Sequence, residues 1–150
     1  MIVYEKASAE RLRDVVKIRV EMLGFMHPEA DFEGEFTRLS EEFFANGEQT
    51  TVLAYDGKKA VGCATLCYIT VMPTFDHRTG KRAHLMNVYT NADYRQQGIA
   101  RKMVSMLLDE AKEKGVTYVS LDTTKSGEPL YKSLGFDFSH EAMGLNLTCN

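Results

Sequence analysis

Apolar positions recur at two different periods along this chain, and each change of period marks an element. Ile2 to Glu5 reads as a short strand. Ser8 is placed to cap a helix, and from Ala9 to Leu23 the residues Leu12, Val15, Val16, Ile18, Met22 and Leu23 gather near one helical face. Gly24 and Pro28 punctuate its end. From about Asp31 to Ala45, Phe32, Phe36, Leu39 and Phe43 recur at helical spacing, which predicts a second helix with an apolar stripe. Thr50 to Tyr55 is β-rich, and Asp56-Gly57 is a hairpin turn signal. Val61 to Met72 follows as a long strand stopped by Pro73, and Ala83 to Thr90 as the next, after a turn at Thr79-Gly80. Ile99, Met103, Leu107 and Ala111 lie four apart and predict the clearest helix, with Lys112 and Lys114 suiting its C-terminal dipole and Gly115 its left-handed stop. Val116 to Leu121 reads as a strand and Glu128 to Leu134 as a short helix closed by Gly135. Phe136 to Phe138 and Met143 to Leu147 read as final short strands. The predicted order is β-α-α-β-β-β-α-β-α-β-β. This is an α/β (α+β) mixed sheet with helices packed on it, expected as a single domain over residues 1–150.

Composition adds exclusions. The chain of 150 residues is 44% hydrophobic and 26% charged, ordinary for a globular domain. No apolar run reaches the roughly 18 residues of a membrane span, and no apolar signal core follows the N-terminus. A cytoplasmic protein with no membrane partner is expected. Cys63 and Cys67 share a strand face about 13 Å apart, too far to bridge. With Cys149 they are expected to be buried small side chains. His27, His77, His84 and His140 show no ligand spacing, so no metal is expected.

The net charge of -3 argues against a nucleic-acid-coating protein, but its distribution says more. From Glu29 to Glu48 the chain carries Glu29, Asp31, Glu33, Glu35, Glu41, Glu42 and Glu48 against Arg38 alone. From Arg78 to Lys102 it carries Arg78, Lys81, Arg82, Arg95, Arg101 and Lys102 against Asp93 alone. Within the basic stretch, Arg95-Gln96-Gln97-Gly98-Ile99-Ala100 follows a strand and opens the strongest helix. A helix start presents unpaired backbone N–H groups and partial positive charge, which suits phosphate. Gly98 lets a ligand approach without a Cβ in the way, and Arg95, Arg101 and Lys102 add formal charge. Neither a P-loop nor a dinucleotide fingerprint is present.

The segment Arg95-x-x-Gly98-x-Ala100, set between strand and helix, resembles the signature of the GCN5-related N-acetyltransferase (GNAT) family. Leu130-Tyr131-Lys132-Ser133-Leu134-Gly135-Phe136 is similar to that family's C-terminal pattern, about 35 residues later, and the likeness runs over essentially the whole chain. The resemblance implies a GNAT-like acyltransferase fold and acetyl-CoA as cosubstrate. It implies that backbone N–H groups of Gln96, Gln97, Gly98, Ile99, Ala100 and Arg101 hold the pyrophosphate. It implies a bulged preceding strand whose Val88 and Thr90 pair with the pantetheine arm. Tyr131 is implied as the acid that protonates the leaving thiolate, a task within reach of a phenol. Where many relatives carry Asn to contact the cofactor, this chain has Thr124, and Gly127 replaces a frequent Ala.

The expected reaction is direct attack of a primary amine on the thioester in a ternary complex, with a backbone N–H near Val88 stabilising the carbonyl oxygen. His84, placed on one strand face with Met86 and Val88, is the leading base, with Glu33 and Glu35 as alternatives. In the family the first two helices wall the acceptor side. Here that wall carries Glu29, Phe32 and Glu33, which suit a small cationic amine or a peptide amine. A homodimer is a further expectation. The alternative reading is a non-catalytic acyl-CoA-binding sensor or interaction module.

Overall fold

The computed structural model describes residues 1–148. Cys149, expected to be buried, lies outside the described residues. Five strands form one sheet: β1 (Ile2–Lys6), β2 (Gln49–Asp56), β3 (Lys59–Thr70), β4 (Lys81–Thr90) and β5 (Tyr118–Leu121). Their order in the sheet is that of the chain. The first four run antiparallel, and β5 joins parallel to β4. The hairpin at Asp56-Gly57 forms as its sequence predicts, with Asp56 opposite Lys59 and Gly57 at φ 59°. The parallel step to β5 needs a crossover. It is made by α3 (Ile99–Glu113).

Alternation along β2 divides the interior. Val52 and Ala54 face Ile99, Met103, Val104, Leu107 and Ala111 of α3. Leu53 and Tyr55 face Val15, Ile18 and Met22 of α1 (Leu12–Met26). The helix α2 (Glu35–Asn46) lies beside α1, and α4 (Glu128–Ser133) adds Tyr131 and the following Leu134 and Phe136 to the α3 side.

Three expectations need correction. The Ser8 side chain caps nothing. A 3-10 turn over Ala9–Arg11 comes first, and the Ser8 carbonyl accepts the Arg11 N–H. The helix α2 starts at Glu35 rather than near Asp31, because Asp31 Oδ1 takes the Glu33 N–H and Gly34 sits at φ 68°. Finally, Phe136–Phe138 and Met143–Leu147 form no strands. Phe136 is turned back after α4, its N–H on the Tyr131 carbonyl and its ring against Tyr131. Met143, Leu145 and Leu147 do alternate, and all three are exposed. Period two sets which side chains share a face, but a strand also needs an edge to pair with.

Candidate active site

The sheet opens at one place. Pairing between β4 and β5 runs only from Arg82 opposite Tyr118 to Leu85 opposite Leu121, although β4 continues to Thr90. Beyond Leu85 the β5-facing edge of β4 has no strand partner. On its other side β4 carries an extra residue, since Thr65 pairs with Met86 but Cys63 pairs with Tyr89. The expected bulge is therefore present, and Asn87 takes φ 59° within it. Asn tolerates this left-handed geometry better than most residues.

The bulge reverses which face each parity serves. Ala83 and Leu85 face α3 before it; Val88 packs on that side after it, while Tyr89 joins the α1 side. Val88 therefore does not share a face with His84 and Met86, contrary to the sequence expectation. Asn87 is buried and holds the bend: its Nδ2 donates to Thr65 Oγ1 at 3.2 Å, and its Oδ1 accepts from Arg19 Nη1 at 3.1 Å.

From Thr90 the chain passes through a 3-10 turn, Ala92–Tyr94, to the start of α3. Gln96 and Gly98 both adopt left-handed geometry, at φ 61° and 77°. A Cβ built at Gly98 would meet nothing within 4 Å, so the space beside it is open. The first-turn N–H groups of α3 point there without helical acceptors. The nearby Thr90 Oγ1 is buried yet has no hydrogen-bond partner among the described residues. Buried hydroxyls are seldom left so. Coenzyme A fits this set: donors for its phosphates, an open strand edge for its amides, and an orphaned hydroxyl between them. Arg95 is committed nearby, donating Nε to the Thr90 carbonyl at 3.0 Å while stacked on Phe25 and Tyr89. Arg101 reaches across to Ser133 Oγ, joining α3 to α4.

Tyr131 stands on α4 with its ring edge-on to Phe136, centroids 5.9 Å apart. Burial raises its pKa above the ordinary phenol value. Its hydroxyl makes no hydrogen bond among the described residues. Gly127, at the start of α4, is needed for space: a Cβ there would stand 2.7 Å from Thr123 Oγ1 and 3.1 Å from the Tyr131 ring. Thr124 is exposed, its hydroxyl 3.0 Å from Ser126 Oγ. His84 is half-buried, its Nδ1 2.7 Å from Ser120 Oγ and its Nε2 3.6 Å from Asp122.

On the α1 side, the apolar stripe of α2 is not core. Leu39 and Phe43 remain 49% and 41% exposed. With Phe36 and Phe44 they overhang a cleft of about 340 Å³ floored by Thr65, Cys67, Met86 and Asn87, and Arg19 enters from α1. His84 sits opposite Cys67 in the β3–β4 register, beside this floor. Cys63 is buried and Cys67 half-buried, and burial raises both thiols, Cys63 to about 12. Neither is primed as a nucleophile. Phe32 packs edge-on to Phe36 at 5.2 Å, while Glu29 and Glu33 are exposed on the preceding loop and do not line the cleft.

Sequence reasoning missed Arg19 and Asn87. Arg19 had a signal: it falls four residues after Val15 and three before Met22, on the buried stripe of α1. Asn87 had none, since a bulge is a property of two paired strands.

The profile of the Acetyltransferase (GNAT) family matches residues 14–136. A thialysine N-epsilon-acetyltransferase from Sus scrofa is 32% identical over 150 residues, covering 95% of this chain and 79% of that protein. A glucosamine 6-phosphate N-acetyltransferase from Trypanosoma brucei brucei is 28% identical over 89 residues, covering 59% of this chain and 58% of its own length. The crystal structure of a predicted acetyltransferase with acetyl-CoA from Clostridium acetobutylicum superposes with a TM-score of 0.86 at 32% identity, over 98% of this chain and 97% of that one. The chain belongs to the GNAT acetyltransferase family. Its activity is acetyl-CoA-dependent N-acetyl transfer. No helix among the described residues is long and apolar enough to cross a membrane, and no group of His, Cys, Asp or Glu there suits a metal ion.

Proposed function

We propose that this chain transfers the acetyl group of acetyl-CoA to a primary amine by direct attack in a ternary complex. The observation that carries the reading is the open edge of β4 beyond Leu85, with the unpartnered Thr90 hydroxyl beside the start of α3. Acetyl-CoA supplies the activated acetyl thioester. Backbone N–H groups from Gln96 to Arg101 hold its pyrophosphate, the Val88 and Thr90 backbone pairs with its pantetheine arm, and Thr124 adds a hydroxyl contact. The Val88 N–H steadies the charge that develops on the thioester oxygen. His84 takes the proton of the amine, directly or through water. Tyr131 gives its proton to the sulfur as the C–S bond breaks and the C–N bond forms. Its raised pKa supports this role, because the phenol stays protonated at neutral pH.

The acceptor enters on the α1 and α2 side, where Glu29 and Glu33 attract its ammonium group and Phe32 offers an apolar surface. Relatives named for thialysine and for glucosamine 6-phosphate support an amine acceptor. The reading includes a homodimer, for which the exposed Met143, Leu145 and Leu147 and the unpaired edge of β5 provide apolar and backbone surface.

A thiol-release assay with acetyl-CoA across a panel of amines tests the reaction, with CoA binding measured by calorimetry. Turnover with intersecting double-reciprocal lines is expected. CoA binding without turnover on any amine identifies an acyl-CoA-binding module instead. Parallel lines would point to a covalent acetyl-enzyme.

A further inference from the structure

The cleft under α2 contains one formal charge, and that charge lacks a counterion. Arg19 is the sole ionic side chain among the residues lining it. Its guanidinium donates to the neutral Asn87 amide at 3.1 Å and lies 5.6 Å from the centre of the Phe36 ring. It forms no ion pair among the described residues, whereas Arg11 and Arg38 each pair with a nearby carboxylate. The thiols of Cys63 and Cys67 do not balance it, since burial keeps both protonated. Burial also lowers the pKa of Arg19 itself, the mark of a cation taken from water without compensation. A half-buried cation in apolar surroundings is costly unless something pairs with it.

The position of this charge is as telling as its isolation. Asn87 belongs to the bulge at which β4 leaves β5, so the guanidinium is one hydrogen bond away from the opening of the sheet. Beside Arg19 and the polar positions Ser40, Thr65 and Asn87, the cleft presents an aromatic and aliphatic wall of Phe36, Leu39, Phe43, Phe44 and Met86.

Resting on the acetyl-transfer reading above, we infer that Arg19 binds the carboxylate of a zwitterionic acceptor, an amino acid whose apolar side chain lies against the α2 wall. A guanidinium that spends one N–H on Asn87 keeps a further pair of donors for a bidentate carboxylate. A phosphate monoester, with a charge of about -1.5 to -2, would leave negative charge unbalanced in an apolar cleft. Arg19 within the cleft holds the carboxylate and leaves the amino group on the same carbon free to attack, while the exposed Glu29 and Glu33, outside the cleft lining, act only by long-range attraction of the cation.

The test compares leucine, leucinamide and 3-methylbutylamine as acceptors, with the wild type and with Arg19→Met and Arg19→Lys. Thermal melting checks that each variant folds. Wild type is expected to favour leucine over both uncharged-end analogues by about tenfold or more in kcat/KM, the scale of a charge-assisted bond. Arg19→Met abolishes that preference while keeping CoA affinity, and Arg19→Lys retains part of it. Calorimetry of N-acetylleucine against its amide, with CoA present, reads the same site without turnover. Turnover in which leucine shows no advantage overturns the carboxylate site and leaves acetyl transfer standing. Arg19-dependent binding of N-acetylleucine without turnover on any amine leaves the site standing and removes the catalytic reading. Equal loss on all three acceptors in Arg19→Met, with folding intact, also overturns the inference.

Discussion

Asn87 and Thr65 are joined across the β3–β4 bulge by a hydrogen bond of 3.2 Å between the amide nitrogen and the hydroxyl. Thr65 in turn lies 2.8 Å from Thr51 on β2, so a buried polar chain links the bulge to the middle of the sheet. Asn87 has two tasks here, since it satisfies that chain and adopts φ 59°. Asn87→Gly keeps the backbone geometry but removes one of the two hydrogen bonds of Thr65 Oγ1, which retains Thr51, and the hydrogen bond of the Arg19 guanidinium, at a cost of about 1–3 kcal/mol. Asn87→Val adds about 1–3 kcal/mol of backbone strain to that loss. Urea unfolding of the three proteins should rank them wild type, Gly, Val. Equal stability for Gly and Val would mean that the left-handed geometry is not required.

Thr90→Val separates the ligand's need for the hydroxyl from that of the fold. The Thr90 oxygen has no partner among the described residues, so its removal leaves the ligand-free chain as stable or up to about 1 kcal/mol more stable. The affinity for CoA falls by about five- to tenfold. Calorimetry and thermal melting of one preparation check both halves. A destabilised protein with unchanged affinity would place the hydroxyl in the fold alone.

Tyr131→Phe removes a proton donor while conserving the ring that packs on Phe136. A fall in kcat on the order of a hundredfold is expected, with CoA affinity within about twofold of wild type. Because burial raises the phenol above its ordinary 10.0, loss of this acid appears in the kcat profile only above that pH. An alkaline limb near neutrality that disappears in Tyr131→Phe would contradict the environment described for it.

Away from the site, Glu110 governs acid stability. Burial pushes its carboxyl up, but hydrogen bonds from Tyr68, Thr50 and Lys6, with the charge of Lys114, outweigh burial and hold it at about 2. A carboxylate held lower in the folded chain stabilises it fully above the unfolded value and loses that contribution as pH falls through the folded one. For Glu110 the window runs from about 4.5 down to about 2. Urea midpoints should fall across that range in the wild type, and Glu110→Gln should show a flatter profile. Parallel profiles would assign acid unfolding to other groups.

Much of this was readable from short stretches of chain. The four-residue spacing of Ile99, Met103, Leu107 and Ala111, the Asp56-Gly57 turn and the left-handed Gly115 each depend on neighbours within a few residues. Arg95 to Ala100 read as a helix start suited to an anion for the same reason, since a helix terminus is a local object. The limits of α2 were harder, because the Asp31 side chain and the Gly34 backbone competed with a stripe of phenylalanines that looked continuous.

Local pattern thus sufficed for most of the strands and helices, the family signature and the helix start after Gly98, because periodicity and turn chemistry are short-range. Three features waited on the tertiary structure. The bulge at Asn87 turned Val88 away from His84 and Met86, which happens only when β4 meets β3 in a particular register. The alternating Met143, Leu145 and Leu147 pair with no strand of the sheet and stay exposed. Arg19, one charge among many on a helix, became the unbalanced charge of the cleft under α2 once packing half-buried it and supplied no carboxylate among the described residues. Register, pairing and desolvation each arise between segments distant in the chain, and no local pattern encodes them.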